Sequence, residues 1–272
     1  MSSRALLASP LGFLIGVSLG ALGGGGSILA VPVLVFVAGQ QPGAATTTSL
    51  FVVGVASLIG AYGHWRSGRV RVGPGLVFGL VGIGGSLAGS ALNRRLDGDV
   101  LLLAFAGLIL VAAWRITVGC PSCTSSGEAN AINEPADGTV QTRPRTLAPR
   151  RVLTIAAAGT FVGFLTGLFG VGGGFVIVPA LALVLGFTMP DAVGTSLLVI
   201  AVNSAVALAA RLGAGPIDWG TTLLFTFAAT AGVGVGKRVA DRIEPATMQR
   251  AFAALLVAVA LYTGTKALLA IV

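Results

Sequence analysis

Long, continuous apolar runs separated by short polar turns dominate the chain. A transmembrane helix needs about 20 apolar residues, and eight regions qualify, at about 5–38, 43–65, 72–92, 100–118, 152–187, 192–210, 219–235 and 251–272. The runs are not the alternating segments of about 10 residues that line a membrane β-barrel. The first and fifth are too long for one simple crossing. Each is interrupted by glycines, Gly23-Gly24-Gly25-Gly26 in one and Gly170-Val171-Gly172-Gly173-Gly174 in the other, and each then carries a proline, Pro32 or Pro179. Between the fourth and fifth runs lies a polar stretch with no periodic apolar pattern, which reads as a flexible loop. The pattern predicts an all-α polytopic membrane protein of about eight transmembrane helices. It is organised as a first repeat over 1–118, a polar loop over 119–150 and a second repeat over 151–272, with a glycine-broken first segment in each half.

The two halves are similar in sequence as well as in layout. Gly20 matches Gly167, 147 residues later, and at that offset Gly23, Gly25 and Gly26 match Gly170, Gly172 and Gly173. Val31-Pro32 matches Val178-Pro179, Thr48-Ser49-Leu50 matches Thr195-Ser196-Leu197, and Ser57 matches Ser204. Gly89 matches Gly236, Arg95 matches Arg242 and Phe105 matches Phe252. Apolar similarity between unrelated helices does not align Gly, Pro and Thr-Ser at one ungapped offset. Duplicated halves are a common construction of secondary transporters, whose sites tend to lie where Gly- or Pro-broken helices meet near the midplane.

Composition places these runs in lipid. Hydrophobic residues make up 55% of the chain and charged residues 10%, with a mean hydropathy of +0.94. A soluble domain carries about 25% charged residues, so most of this surface has to face something other than water. Helices satisfy their own backbone groups there. The N-terminal run resembles a signal peptide in length, but it continues into a segment repeated later, so it reads as mature protein.

The net charge of +8 sits in short inter-span loops. That is the pattern of cytoplasmic loops, not of a nucleic-acid surface, and no nucleic-acid partner is expected. Arg143, Arg145, Arg150 and Arg151 place the middle loop in the cytoplasm. With eight simple spans Arg66, Arg69 and Arg71 join it, but Lys237, Arg238 and Arg242 fall on the opposite side. The conflict eases if each glycine break adds a re-entrant or short extra crossing, which inverts one half against the other. The expected location is the cytoplasmic membrane.

The broken segments carry the candidate chemistry. Glycine leaves backbone amides uncovered and permits positive φ, and a helix that restarts after such a run presents free N–H groups and the positive end of its dipole. An anion suits that arrangement. The candidate substrate-binding residues are therefore Gly23, Gly24, Gly25, Gly26, Gly170, Gly172, Gly173 and Gly174, with the hydroxyls of Thr48, Ser49, Thr195 and Ser196 and the amide of Asn203. Each has a structural alternative: glycines let helices pack closely, hydroxyls cap or bond back to the preceding turn, and Asn203 could bridge two helices.

Charged groups inside a membrane are functional suspects. His64 and Arg211, aligned in the two halves, are candidates for coupling, since imidazole titrates near neutrality. Interfacial placement is the alternative. No Asp or Glu lies deep in a span, which argues against a cation site. Cys120-Pro-Ser-Cys123 is an isolated C-x-x-C in the middle loop, with no second pair and no histidine nearby. It is a weak sign of redox chemistry or of half a metal site.

The block Gly-x-Gly-Gly-x-x-x-x-Val-Pro-x-Leu, present twice and each time followed by Thr-Ser-Leu, resembles the sulfite exporter TauE/SafE family, also called the toluene sulfonate uptake permease family. The resemblance spans nearly the whole chain except the middle loop, which is longer and more polar than that family's usual linker. It implies a permease of about eight helices for sulfur-containing anions such as sulfite, thiosulfate, sulfoacetate or organosulfonates. The reading is a secondary anion permease with a small anionic substrate, lipid around it, no cofactor and no Walker A motif for ATP. Homo-oligomerisation is left open. A membrane-embedded thiol redox enzyme using Cys120 and Cys123, and a passive anion channel, are the alternatives.

Overall fold

The computed structural model describes residues 3–93, 98–118, 149–169, 174–209 and 218–271. All regular structure among them is helical. In chain order the elements are α1 (Ser3–Leu22), a 3₁₀ turn (Gly23–Gly26), α2 (Ser27–Phe36), α3 (Pro42–Arg66), α4 (Val72–Asn93) and α5 (Gly98–Val118). They continue with α6 (Pro149–Phe169), α7 (Gly174–Leu183), α8 (Met189–Ala209), α9 (Trp219–Ala240) and α10 (Pro245–Ile271). The loop therefore ends slightly earlier than the sequence indicates, because α6 begins at Pro149.

Among the described residues six helices are long and apolar enough to cross a membrane, and α5 and α6 contain the shorter apolar stretches Ala104–Thr117 and Leu153–Leu168. Many large apolar side chains point outward, among them Phe227 at 77% and Leu87 and Leu153 at 70% exposure. Such a surface is stable only in lipid. The chain is a multi-pass membrane protein.

Glycine sets where the short helices stop. Gly39 (φ 70°) and Gly186 (φ 66°) adopt the left-handed conformation just beyond α2 and α7. The next residue in each case closes the helix end, Gln40 N–H donating to Leu34 O at 3.0 Å and Phe187 N–H to Leu181 O at 3.1 Å. This is the glycine-terminated cap that satisfies otherwise orphaned carbonyls.

The direction of each helix follows from its neighbours. Gly12, Gly16 and Gly20 of α1 face Phe225, Ala229 and Val233 of α9, so the two run the same way. Gly159, Gly163 and Gly167 of α6 face Phe78, Gly82 and Ser86 of α4, again in parallel. At Gly16 and Gly163 an added Cβ would strike the partner's backbone, so these pairs approach closely because the residues are small. α3 and α8 run antiparallel, with Gly54 against Ser204 and Gly60 against Leu197. α5 and α10 are also antiparallel, with Gln249 Nε2 donating to Ile116 O.

These directions sort the ends of the bundle. α1 enters beside the start of α9, turns at the 3₁₀ break, and returns through α2 to the start of α3. α6 enters beside the start of α4, from the opposite end, and its chain returns through α7 to the start of α8. The two glycine-broken segments are thus hairpins that enter from opposite ends.

Candidate functional site

The first break meets Gly174, the first residue of α7, inside the bundle. Gly23, with φ 71°, ends α1, and Gly23–Gly26 are all buried. An added Cβ on Gly24 would collide with the backbone of Gly174, and one on Gly23 would lie 2.6 Å from Ser196 Oγ. The first break is therefore seated against the start of α7 and against α8. Gly25 faces Leu255 and Phe252 of α10, while Gly26 packs on α1's own backbone at Ile15 and Leu19. The turn keeps part of its hydrogen bonding: Ser27 N–H donates to Gly24 O, and Ser27 Oγ donates to the same oxygen at 2.7 Å. Gly170, Gly172 and Gly173 lie outside the described residues, as do Arg211 and the Cys120–Cys123 pair.

The four candidate hydroxyls are buried and engaged. Ser49 Oγ donates to Thr46 O and Ser196 Oγ to Val193 O, both at 2.8 Å. Thr195 Oγ1 accepts Arg71 N–H at 3.0 Å. Thr48 Oγ1 lies 3.4 Å from Thr222 Oγ1, whose own hydrogen goes to Asp218 O at 2.7 Å, so Thr48 is the donor of that pair. In this conformation Ser49 and Ser196 bond back to the preceding turn, and three of the four hydroxyl hydrogens are already committed.

His64 is enclosed by the bundle. It is fully buried, and its Nε2 lies 3.2 Å from Gly20 O; a carbonyl only accepts, so Nε2 carries the hydrogen. The bond ties the end of α3 to α1 one turn before the break. His64 Nδ1 has no partner among the described residues.

Sequence reasoning missed Gln40 and read Ser57 only as a register mark. Ser57 Oγ, Asn203 Oδ1 and both side-chain polar atoms of Gln40 are buried with no hydrogen-bond partner among the described residues. Asn203 was a candidate from its polarity alone. Ser57 and Ser204 served only to align the halves, although a matched pair of hydroxyls in two apolar helices was itself a signal.

One end of the bundle is charged. Asp241 pairs with Arg69, and with Lys237 at 2.9 Å; Arg71 pairs with Asp191 at 3.1 Å. Burial pushes the Asp241 carboxyl up, but the Lys237 hydrogen bond and charge and the Arg69 charge outweigh it and hold it below the ordinary range. Asp218 caps α9 and is likewise held low, chiefly by the Thr221 hydroxyl at 2.6 Å. No group of three or more potential metal-binding His, Cys, Asp or Glu occurs among the described residues.

Comparison with known proteins places the chain. The family model described as "Sulfite exporter TauE/SafE" matches residues 8–263. A probable membrane transporter protein of Xylella fastidiosa (strain 9a5c) is 32% identical over 254 residues, covering 92% of this chain and 91% of its own length. The probable membrane transporter protein YdhB of Bacillus subtilis is 30% identical over 69% of this chain and 71% of its own. Another, MJ0441 of Methanocaldococcus jannaschii, is 29% identical over 75% of this chain and 71% of its own. No solved structure matches the chain.

Proposed function

The chain belongs to the sulfite exporter TauE/SafE family, and from that membership we propose that it is a secondary permease for a small sulfur-containing oxyanion or organosulfonate in the cytoplasmic membrane. It consumes no ATP, needs no cofactor and catalyses no reaction. The observation that carries this reading is the contact of the first glycine break with the start of α7, Gly24 on Gly174, in segments that enter from opposite ends.

The proposed architecture is eight apolar helices in two homologous, inverted halves. Several features support it. α2 and α7 are each ten residues long and begin 147 residues apart, as do α4 and α9. Exchanging the halves also exchanges the packing pairs, α1 with α9 for α6 with α4. Arg69 pairs with Asp241, so the ends of α3 and α9 share a face, and the basic residues from Arg66 to Arg71 and from Lys237 to Arg242 collect together. That face is assigned to the cytoplasm by the positive-inside rule.

In the proposed mechanism the substrate reaches the meeting point of the breaks, near Gly23–Gly26 and Gly170–Gly174, with Thr48, Ser49, Thr195 and Ser196 beside it. Helix starts there favour negative charge. The halves rock to expose the point to each side in turn. Purified protein in proteoliposomes, given a panel of radiolabelled sulfite, thiosulfate, a sulfonate and a carboxylate, tests the reading. Uptake of a sulfur anion against its gradient when a proton or sodium gradient is imposed supports it. Flux that only equilibrates makes the protein a channel, and no flux of any panel member rejects the anion reading.

A further inference from the structure

The hydroxyls nearest the breaks have largely committed their hydrogens, so a bound anion needs donors elsewhere. α3 and α8 supply them. Gly54 of α3 faces Ser204 of α8, a Cβ at Gly54 lying 3.1 Å from the serine's Cβ. Ser57 stands one turn beyond Gly54 on α3, fully buried, and its hydroxyl has no partner among the described residues. Asn203, next to Ser204, is half-buried, and its Oδ1 is also buried without a partner. It lies seven residues, two helical turns, beyond Ser196, and therefore on the α8 face that meets Gly23. On the α4 side Gly79 leaves it room, the nearest approach of a Cβ to Asn203 Oδ1 being 3.8 Å.

Buried polar groups in native proteins are almost always paired. Two unpaired ones inside two packed apolar helices are costly unless something polar visits them. We propose that Ser57 on α3 and Asn203 on α8 are substrate-contact residues that hydrogen-bond a small oxyanion on its way through the membrane. Ser57 donates its hydroxyl hydrogen to an anion oxygen. The Asn203 amide offers two further donors, and its Oδ1 accepts from the anion when one of its oxygens is protonated. Both groups are neutral, so the anion is held by dipoles alone and can leave again, which a carrier requires. The proposal rests on the permease reading above and names residues for it.

The test is the concentration dependence of radiolabelled sulfite uptake into proteoliposomes, with the thermal midpoint of each variant measured in detergent. Ser57→Ala and Asn203→Ala are expected to raise KM about tenfold, the loss of one hydrogen bond to a charged partner, with thermal midpoints equal to or above wild type. Ser57→Thr, which keeps a hydroxyl, is expected to retain most of the wild-type KM. An orphan hydroxyl without a ligand differs only in KM for Ser57→Ala: KM unchanged, with the same unchanged or higher midpoint. That result overturns the proposal, as does a lost flux accompanied by a fallen midpoint, which marks a packing role. If wild-type protein moves no panel anion, the permease reading itself fails and this assignment falls with it. If wild type is active and Ser57→Ala matches it, only this assignment fails.

Discussion

At the scale of single residues, Asp241 joins the two halves of the chain through Arg69 and is also held by Lys237 one turn earlier. Its folded pKa is depressed, so its contribution to stability is present above the unfolded carboxylate value of about 3.9 and is lost as pH falls through the lower folded value. The thermal midpoint of wild type in detergent should therefore fall more steeply below about pH 4 than that of Asp241→Asn, the two curves converging in acid. At neutral pH the variant should be only slightly less stable, since partly exposed pairs are each worth under ~1 kcal/mol. Parallel curves through the acid range would remove Asp241 from the stability balance. The sequence marks Lys237 and Arg238 as basic groups at a helix end, but Asp241 gains its meaning from Arg69, 172 residues away. Side-chain partners of this kind are not legible from spacing. The same holds for Thr195, whose hydroxyl looks free in the sequence and proves to accept Arg71 N–H, and for His64, which closes on Gly20 inside the bundle.

At the scale of elements, the helices were legible because apolar length and glycine or proline punctuation determine them, and the short ones end where glycine permits positive φ. What was not legible is how tightly each glycine is enclosed. Gly24 abuts the Gly174 backbone, which cannot yield, whereas the one close atom at Gly25 is Leu255 Cδ2 at 2.8 Å, the far end of a flexible side chain. Gly84 of α4 has nothing within 4 Å. Alanine should therefore separate three outcomes. Gly24→Ala should lower the thermal midpoint sharply and abolish flux. Gly25→Ala should fold, so its flux reports on the break itself. Gly84→Ala should raise stability by roughly 0.5–1 kcal/mol, the ordinary gain for an unencumbered helical glycine. Size-exclusion yield and thermal midpoints check all three. Equal tolerance at Gly24 and Gly84 would mean that the breaks do not touch. Gly25→Leu is a poorer probe, because a long side chain there would displace Phe252 and Leu255 whatever the glycine does.

At the scale of the molecule, the two ends of the proposed inverted repeat would be equal in energy if the halves were identical, and any bias must come from where they differ. The ion pairs differ. The positions 147 residues from Arg69, Asp241 and Lys237 are Pro216, Arg94 and Ser90, and those matching Arg71 and Asp191 are Asp218 and Ala44. Neither cross-half pair can therefore form at equivalent positions of the opposite end. There Thr48 meets Thr222 through neutral hydroxyls. The charged end should be the one held shut at rest, and opening it should require separating Arg69 from Asp241 and Arg71 from Asp191. Neutralising both carboxylates as Asp191→Asn with Asp241→Asn removes about 1 kcal/mol of tie, taking each pair at the modest value of partly exposed ion pairs. That corresponds to roughly a fivefold shift in a two-state population. The measurement is labelling of a cysteine at position 196 by a membrane-impermeant maleimide from the charged side, in a Cys120→Ser, Cys123→Ser background. Labelling should accelerate by about that factor in the doubly neutralised protein, and raising salt should accelerate it in the parent but not in the neutralised variant, since surface pairs are screened. Equal rates with and without the two carboxylates would show that the charged cluster decorates one face without setting which side the carrier opens to.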